Sequence, residues 1–527
     1  MKEHSIPCPC LYKADAGIII RYDPQAAWEV LIRTAACACL ALIFLGTSVV
    51  HARGAVVSLD QAVRTAVGNN LSLRAATFTP AVSATDIRRA RAVYNPRFTA
   101  ALDHSGSNSQ AAPDSFFVER SRSVDANFSA DMLLSTGATA SASFANPWRK
   151  DNLGTSFSRF AQPDFSLSLS QPILQGLGKE VTERGITVAE FATESSIAGW
   201  RSQALTVSGI TRDRYFSVIK ARENLQTRKA SLALANEIHA SNEGRVRAGV
   251  LAAVELLDSR LGVAQREKDL LAAEKTALDE ADTLLVLMNM PPNTALELAQ
   301  PEFSAAAVDR SEEGALKKAF AMRPDILQAK INLRSQEFSS KIGRNLLLPS
   351  LALKGSAGVS GLAQDYGSAF DDMRSGKYPS WAVGLEFSYP LGNDAAEADL
   401  AKNRLLAGQS RVQIRSLEET AGLEVRQAIR NLETLEKQIA VARRSVELAE
   451  ARFDSYVKRG KVGLATTKDI FQVESDLTAA RESLTAALAD YQVGVTRFWT
   501  STGELLERHG IRIEDREIEN IAWKGLQ

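Results

Sequence analysis

The residues whose spacing suggests a task lie just after a turn near position 463. Thr466 and Asp469 stand three apart at the head of a helical pattern. There each can satisfy the other's free backbone donor, and the carboxylate faces the positive end of the helix. Glu255 and Asp258 hold the equivalent place after an earlier turn at 248–250. Carboxylates so placed cap helices and set a local field; no constellation around them supports catalysis. The five histidines, His4, His51, His104, His239 and His509, are scattered without metal-ligand spacing. His239 falls on or near the buried stripe of its helix and reads as a packed residue. Cys8-Pro-Cys10 could serve a metal or a redox pair, but with Cys37 and Cys39 these make up all four cysteines, and all precede residue 40. No phosphate-binding glycine loop and no nucleophile elbow is present. The expectation is a protein that is not an enzyme and holds no cofactor and no metal.

The cysteines sit in a leader. Residues 35–50 are an uncharged apolar run after Arg33, followed by His51-Ala52. That is a signal-peptide core with cleavage after Ala52, and it is too short for a span of about 20 residues. Residues 1–52 are therefore read as signal peptide, and the exported remainder holds together without disulfides. With 62 basic and 62 acidic residues the chain has no charge to draw it to nucleic acid.

The elements that must position the carboxylates are long helices. Leu417, Ala421, Val425, Ala428, Leu432, Leu435, Ile439, Ala442, Val446, Ala449 and Phe453 repeat every three or four residues, the period of a helix packed along a partner. The pattern predicts a helix over 394–458 that ends in a turn at 459–463; some 60 residues make a rod of roughly 90 Å. An earlier helix over 179–247 turns at Ala248-Gly249-Val250 and returns over 254–288. Near the start, Ser58 and Gln61 form a capping box before a short helix that stops at Gly68. Pro80 should kink the next helix or delay its start.

Between 97 and 172 the period changes to two. Phe98, Ala100 and Leu102 alternate with polar residues, as do Val124, Ala126, Phe128, Ala130 and Met132. Ala140, Ala142 and Phe144 follow the same rule, and so do Phe165, Leu167 and Leu169. Trp381, Val383, Leu385, Phe387 and Tyr389 repeat it within 350–390. Strands of this length and alternation suit a membrane barrel with a wet lumen, and equally a soluble sandwich.

The chain is an internal duplication. At an offset of 253 Ser311 falls on Ser58, Ala315 on Ala62, Ala319 on Ala66 and Pro349 on Pro96. Pro390 falls on Pro172 at 218, and Gly463 on Gly249 at 214. The first repeat spans 53–310, with strands 97–172 and a helical hairpin 179–290. The second spans 311–507, with strands 350–390 and a hairpin 394–502, and 508–527 is a tail. No run of 18 apolar residues follows the leader, so any membrane crossing must be a closed barrel. Four to six strands are too few for one, so several copies would have to share it.

This order of elements resembles the outer-membrane efflux protein family, the TolC-like channels, over nearly all of residues 58–507. The stretches that carry the likeness are Ser58-Leu59-Asp60-Gln61-Ala62 with Gly68-Asn69-Asn70, and Ala319 to Asp325. Gln171 to Gly176, Arg247-Ala248-Gly249 and Val462-Gly463-Leu464 complete them. The resemblance implies an α+β membrane protein: a homotrimer whose copies share a β-barrel in outer-membrane lipid, above a long antiparallel α-helical barrel in the periplasm. It implies a passive exit duct of a tripartite efflux or type I secretion system, partnered by a periplasmic adaptor protein and an inner-membrane transporter. It further implies an acidic entrance at Asp469, with Glu255 and Asp258 as its first-repeat counterparts, and adaptor contacts at the turns of Arg247, Gly249, Lys461 and Gly463. Gln472 departs from the family, which often has a second aspartate there. The four strands of the first repeat also depart from the usual two; the extra pair, near 122–145, would enlarge the barrel or form an extracellular hairpin. The rival reading is a soluble periplasmic coiled-coil scaffold.

Overall fold

The computed structural model describes residues 56–109, 119–151, 159–292, 294–299 and 310–512. The signal-peptide reading, the four cysteines and the end of the tail lie outside them. The described part begins with a two-residue strand, β1 (Val56–Val57), and three helices: α1 (Leu59–Asn69), α2 (Leu71–Ala76) and α3 (Phe78–Arg91). Ser58 and Gln61 close the expected capping box on α1. The helix drawn through Pro80 breaks at Thr77, which leaves the proline in the first turn of α3, where its missing N–H has no partner to lose.

Six strands then lie side by side in one antiparallel sheet: β2 (Arg97–Ser109), β3 (Glu119–Leu133), β4 (Thr139–Asp151), β6 (Asp164–Pro172), β8 (Ser350–Ser360) and β9 (Pro379–Ser388). The short β5 (Arg159–Ala161) pairs with the end of β4. The strands form a single layer, so the sandwich of the soluble-scaffold reading is not what they build. Cross-strand partners share a face. The register places Phe98, Ala130, Ala142, Leu167, Ala357 and Trp381 on one side across the whole sheet. Its other side is polar: Asp103 pairs with Asp125, Asp131 with Ser141, Ser143 with Ser166. Over the part of the sheet nearer the helices charge and apolarity are thus sorted to opposite faces, whereas farther out Arg122 pairs with Lys150 on the apolar side. The helix α9 (Tyr366–Arg374), between β8 and β9, was not foreseen; it sets Phe370 edge-on against Phe144, with ring centroids 6.3 Å apart.

After the sheet come α4 (Lys179–Thr182), α5 (Arg184–Arg247) and α6 (Ala253–Leu287), then β7 (Glu297–Leu298), which pairs with β1 in parallel. The helix expected from 179 is interrupted at Glu183. The second half gives α7 (Glu312–Met322), α8 (Pro324–Leu346), α10 (Asp394–Lys461), α11 (Thr467–Thr502) and α12 (Leu505–Arg508). The long helix α10 absorbs Arg459, Gly460 and Lys461, so its turn starts three residues later than the sequence pattern placed it. No helix among the described residues is long and apolar enough to cross a membrane.

Two cores repeat each other. In one, Ala62 and Ala66 of α1 pack with Val207, Val218, Tyr215 and Leu284 of α5 and α6. In the other, Ala315 and Ala319 of α7 pack with Val425, Leu432, Leu435 and Tyr491 of α10 and α11. Val207, Val218 and Ala221 are buried, and so are Ala421, Leu432 and Leu435, at the offset of 214. The four long helices form a layer in the order α6, α5, α11, α10. Leu257, Leu261, Leu271 and Leu278 on α6, and Leu405, Val412, Val441 and Leu448 on α10, stay exposed on the two outer helices.

Candidate functional site at the helix tips

Both hairpins turn by the same device. Gly249 and Gly463 take positive φ values of 72° and 77°. The amides that follow, Val250 and Leu464, reach back to the carbonyls of Arg245 and Arg459, each at 2.9 Å. This is a helix ending closed by a left-handed glycine; a side chain here would be strained even though nothing crowds its Cβ. Around the turns Val250, Val462 and Leu464 are at least 70% exposed. Arg247 is exposed and pairs loosely with Glu243 at 3.6 Å, and Lys461 is exposed.

The four helix ends are tied together. Asp469 closes the capping box of α11: its Oδ2 accepts from Thr466 N at 2.9 Å and Thr466 Oγ1 at 2.7 Å. These hydrogen bonds, the side-chain one first, hold the Asp469 carboxyl below its ordinary pKa. The carboxylate is nonetheless exposed and charged. Glu255, at the head of α6, points across the repeat boundary; its Oε2 accepts from Thr467 N at 2.9 Å and caps the other hairpin's helix. Asn242 Nδ2 donates to Thr467 Oγ1 at 2.8 Å, and Arg245 Nη1 donates to Gly460 O at 3.2 Å. Together these side chains line a cleft of about 350 Å³ that contains Glu255 and Asp469. Asp258, half-buried, lies outside its lining.

The sequence reading missed a second tie deeper in the layer. Arg266 of α6 and Glu474 of α11 form an ion pair whose side chains are 10% and 5% exposed. Arg266 also donates to Gly262 O and Phe471 O, while Glu474 Oε1 accepts from Ser231 Oγ at 2.6 Å and Thr478 Oγ1 at 2.9 Å. The guanidinium lies 4.4 Å from the centroid of the Phe471 ring. A Cβ on Gly262 would come within 2.3 Å of that ring. Every charge is matched, as a buried pair requires. The signal was present in principle, since Glu474 falls between Phe471 and Leu477 on the buried face of α11.

A third polar cluster lies at the other end of the core. Buried Arg212 donates to Gln492 Oε1 at 3.1 Å, stacks 4.5 Å from the Trp499 ring and meets His509 Nε2 at 3.4 Å. His509 Nδ1 lies 2.6 Å from Asp60 Oδ1. Burial lowers the Arg212 pKa to about 10, and it also holds the His509 imidazole below its ordinary value, against the pull of Asp60. His239, expected to be packed, is half-buried and bonded to Ser259 Oγ at 2.7 Å.

These arrangements position charge and hold helices; none brings a nucleophile to a base. Residues 62–290 and 315–504 match the outer membrane efflux protein family. Among individual relatives, the outer membrane efflux protein BepC of Brucella suis is 25% identical over 324 residues, which cover 59% of this chain and 68% of BepC. The pyoverdine export outer membrane protein OpmQ of Pseudomonas aeruginosa is 24% identical, over 57% of this chain and 60% of its own length. In fold, the CmeC outer membrane channel of Campylobacter jejuni superposes with a TM-score of 0.62 at 18% identity, covering 88% of this chain and 89% of CmeC. The chain belongs to the outer membrane efflux protein family, and its long helices are the periplasmic extension of an outer-membrane efflux channel.

Proposed function

We propose that three copies join into one duct that passively conducts substrates from a periplasmic adaptor and an inner-membrane transporter to the exterior. The observation that carries this is the matched pair of open edges. Among the described residues, the sheet ends in the unpaired sides of β2 and β9, and the helix layer ends in α6 and α10, each with an exposed leucine or valine stripe. Open strand edges cannot face lipid, and apolar helix stripes are not left in water; a second copy satisfies both at once. Cyclic closure then gives a β-barrel above a helical barrel.

In this duct the tips form the entrance. Asp469, exposed and ionised, repeats around the axis and favours cations, with Glu255 beside it and Asp258 behind. The glycine turns, with Arg247, Lys461 and the exposed Val250, Val462 and Leu464, offer the adaptor both charge and apolar contact. Opening requires the α10–α11 hairpin to swing away from α5 and α6. The ties from Asn242, Arg245, Glu255 and Arg266 to the second hairpin resist that motion until the adaptor and pump engage.

The test is single-channel conductance of the detergent-purified protein in a planar bilayer, beside Asp469→Asn, which keeps an acceptor for the cap and removes the charge. A cation-selective conductance that loses selectivity in the variant supports both the duct and its acidic entrance. Selectivity unchanged by the variant keeps the duct and reduces Asp469 to a helix cap. A protein that is monomeric and soluble without detergent would overturn the reading.

A further inference from the structure

The first half of the chain contributes four strands to the sheet and the second half two. The geometry points to a wall in which all six strands of each copy are built into the common barrel, so that three copies close eighteen strands. This rests on the shared-barrel reading above and goes beyond it, because β3 and β4 become part of the membrane wall and not an appendage to it.

Three observations carry the inference. First, β3 and β4 cannot be lifted out. Thr139 to Ala145 of β4 pair with Asp164 to Ser170 of β6, and β2 reaches the sheet only through β3, in register from Arg97↔Asp131 to Ser109↔Glu119. Second, the pair carries the same two-faced pattern as its neighbours. Phe128 and Ala142 lie on the apolar side, continuous with Leu167, while Ser129 lies on the polar side. A hairpin standing in water has no need of such a face; a strand between lipid and lumen does. Third, the turn at 134–138 is seated on the end of the sheet that leads into the helices. Gly178 N donates to Thr136 O at 3.1 Å, and Thr136 Oγ1 donates to Gln171 Oε1 at 2.9 Å. Gly137, at φ 90°, fits so closely that a Cβ would lie 2.5 Å from Gly176 O.

The widths agree. Strands ~4.8 Å apart and tilted ~40° make six strands about 38 Å wide, and four only about 25 Å. Four helices set ~9 Å apart span about 36 Å. Six strands therefore match in width the four helices that lead into the sheet, α3, α5, α8 and α10, which pack side by side in that order. Closure is also compatible in direction: β2 leaves the helical end and β9 returns to it, so β9 of one copy meets β2 of the next antiparallel. The exit through the membrane is then as wide as the helical tube beneath it.

Electron cryomicroscopy of the mature protein in lipid nanodiscs counts the strands end-on. Three-fold symmetry with eighteen strands is the expected result. Three-fold symmetry with twelve strands overturns the inference and leaves the trimeric duct standing; absence of three-fold symmetry overturns both. A second readout needs no map. Residues 53–527 contain no cysteine, so Phe128→Cys, Ala142→Cys and Ser129→Cys each carry one spin label. The first two should be relaxed by oxygen and shielded from a water-soluble nickel chelate, and the third the reverse. Nickel access at Phe128 and Ala142 equal to that at Ser129 would place the pair in water and overturn the wall.

Discussion

At the scale of single residues, the tip shows how one side chain serves a neighbour in sequence while another serves a neighbour in space. Asp469 caps its own helix, as Thr466 three residues before it already suggested, but Glu255 caps the helix of the other hairpin. No spacing rule links positions 255 and 467; only the fold brings them together. The same is true of His509, whose partners Asp60 and Arg212 come from the far start and the middle of the chain. His509 is 3% exposed and its pKa is lowered from 6.5 by burial. A folded-state value below the unfolded one means that the neutral ring contributes stability above pH 6.5, and that this contribution fades as pH falls through 6.5 towards the folded-state value. The melting temperature of the wild type should therefore drop more between pH 7.5 and 5.5 than that of His509→Gln, read by calorimetry in detergent. An equal drop in both would remove His509 from the acid response.

At the scale of elements, the long helices were legible because their burial is periodic and unbroken. The stripe from Leu417 to Phe453 is buried or half-buried throughout in α10. What the pattern could not show was local: the break at Thr77, the interruption at Glu183, and α9, whose nine residues are too few for a period to emerge. Nor could it show that α6 meets α11 through Gly262, since a glycine in a helix reads as a weakness until the Phe471 ring is seen lying against it. Gly262→Ala should destabilise the protein by about 1–3 kcal/mol by overpacking. Glu474→Ala, which strands the buried Arg266, should cost about 3–5 kcal/mol. Denaturant melts of the two variants would check both, and a Glu474→Ala protein as stable as wild type would mean that Arg266 finds water.

At the scale of the whole molecule, both layers end in edges that need another copy. Leu271 of α6, 66% exposed, lies on the stripe that faces the next subunit in the proposed trimer. Leu271→Glu should shift the detergent-purified protein from trimer towards monomer, measured by light scattering, while leaving the helix content unchanged. A trimer that tolerates the charge would place the subunit contact elsewhere.

The pairing of β6 with β8 sets the order in which such a chain can be made. It joins residues 164–172 to residues 350–360, with the whole first helical hairpin in between. Throughout synthesis and export of that hairpin, β6 has a bare edge and an apolar face with nothing to cover it. Contacts this distant form slowly, and open edges invite aggregation while they wait. The helices can nucleate locally and early, while the sheet is completed last. Completion of the β6–β8 pairing, and not the making of the helices, is then the slow step that this topology predicts.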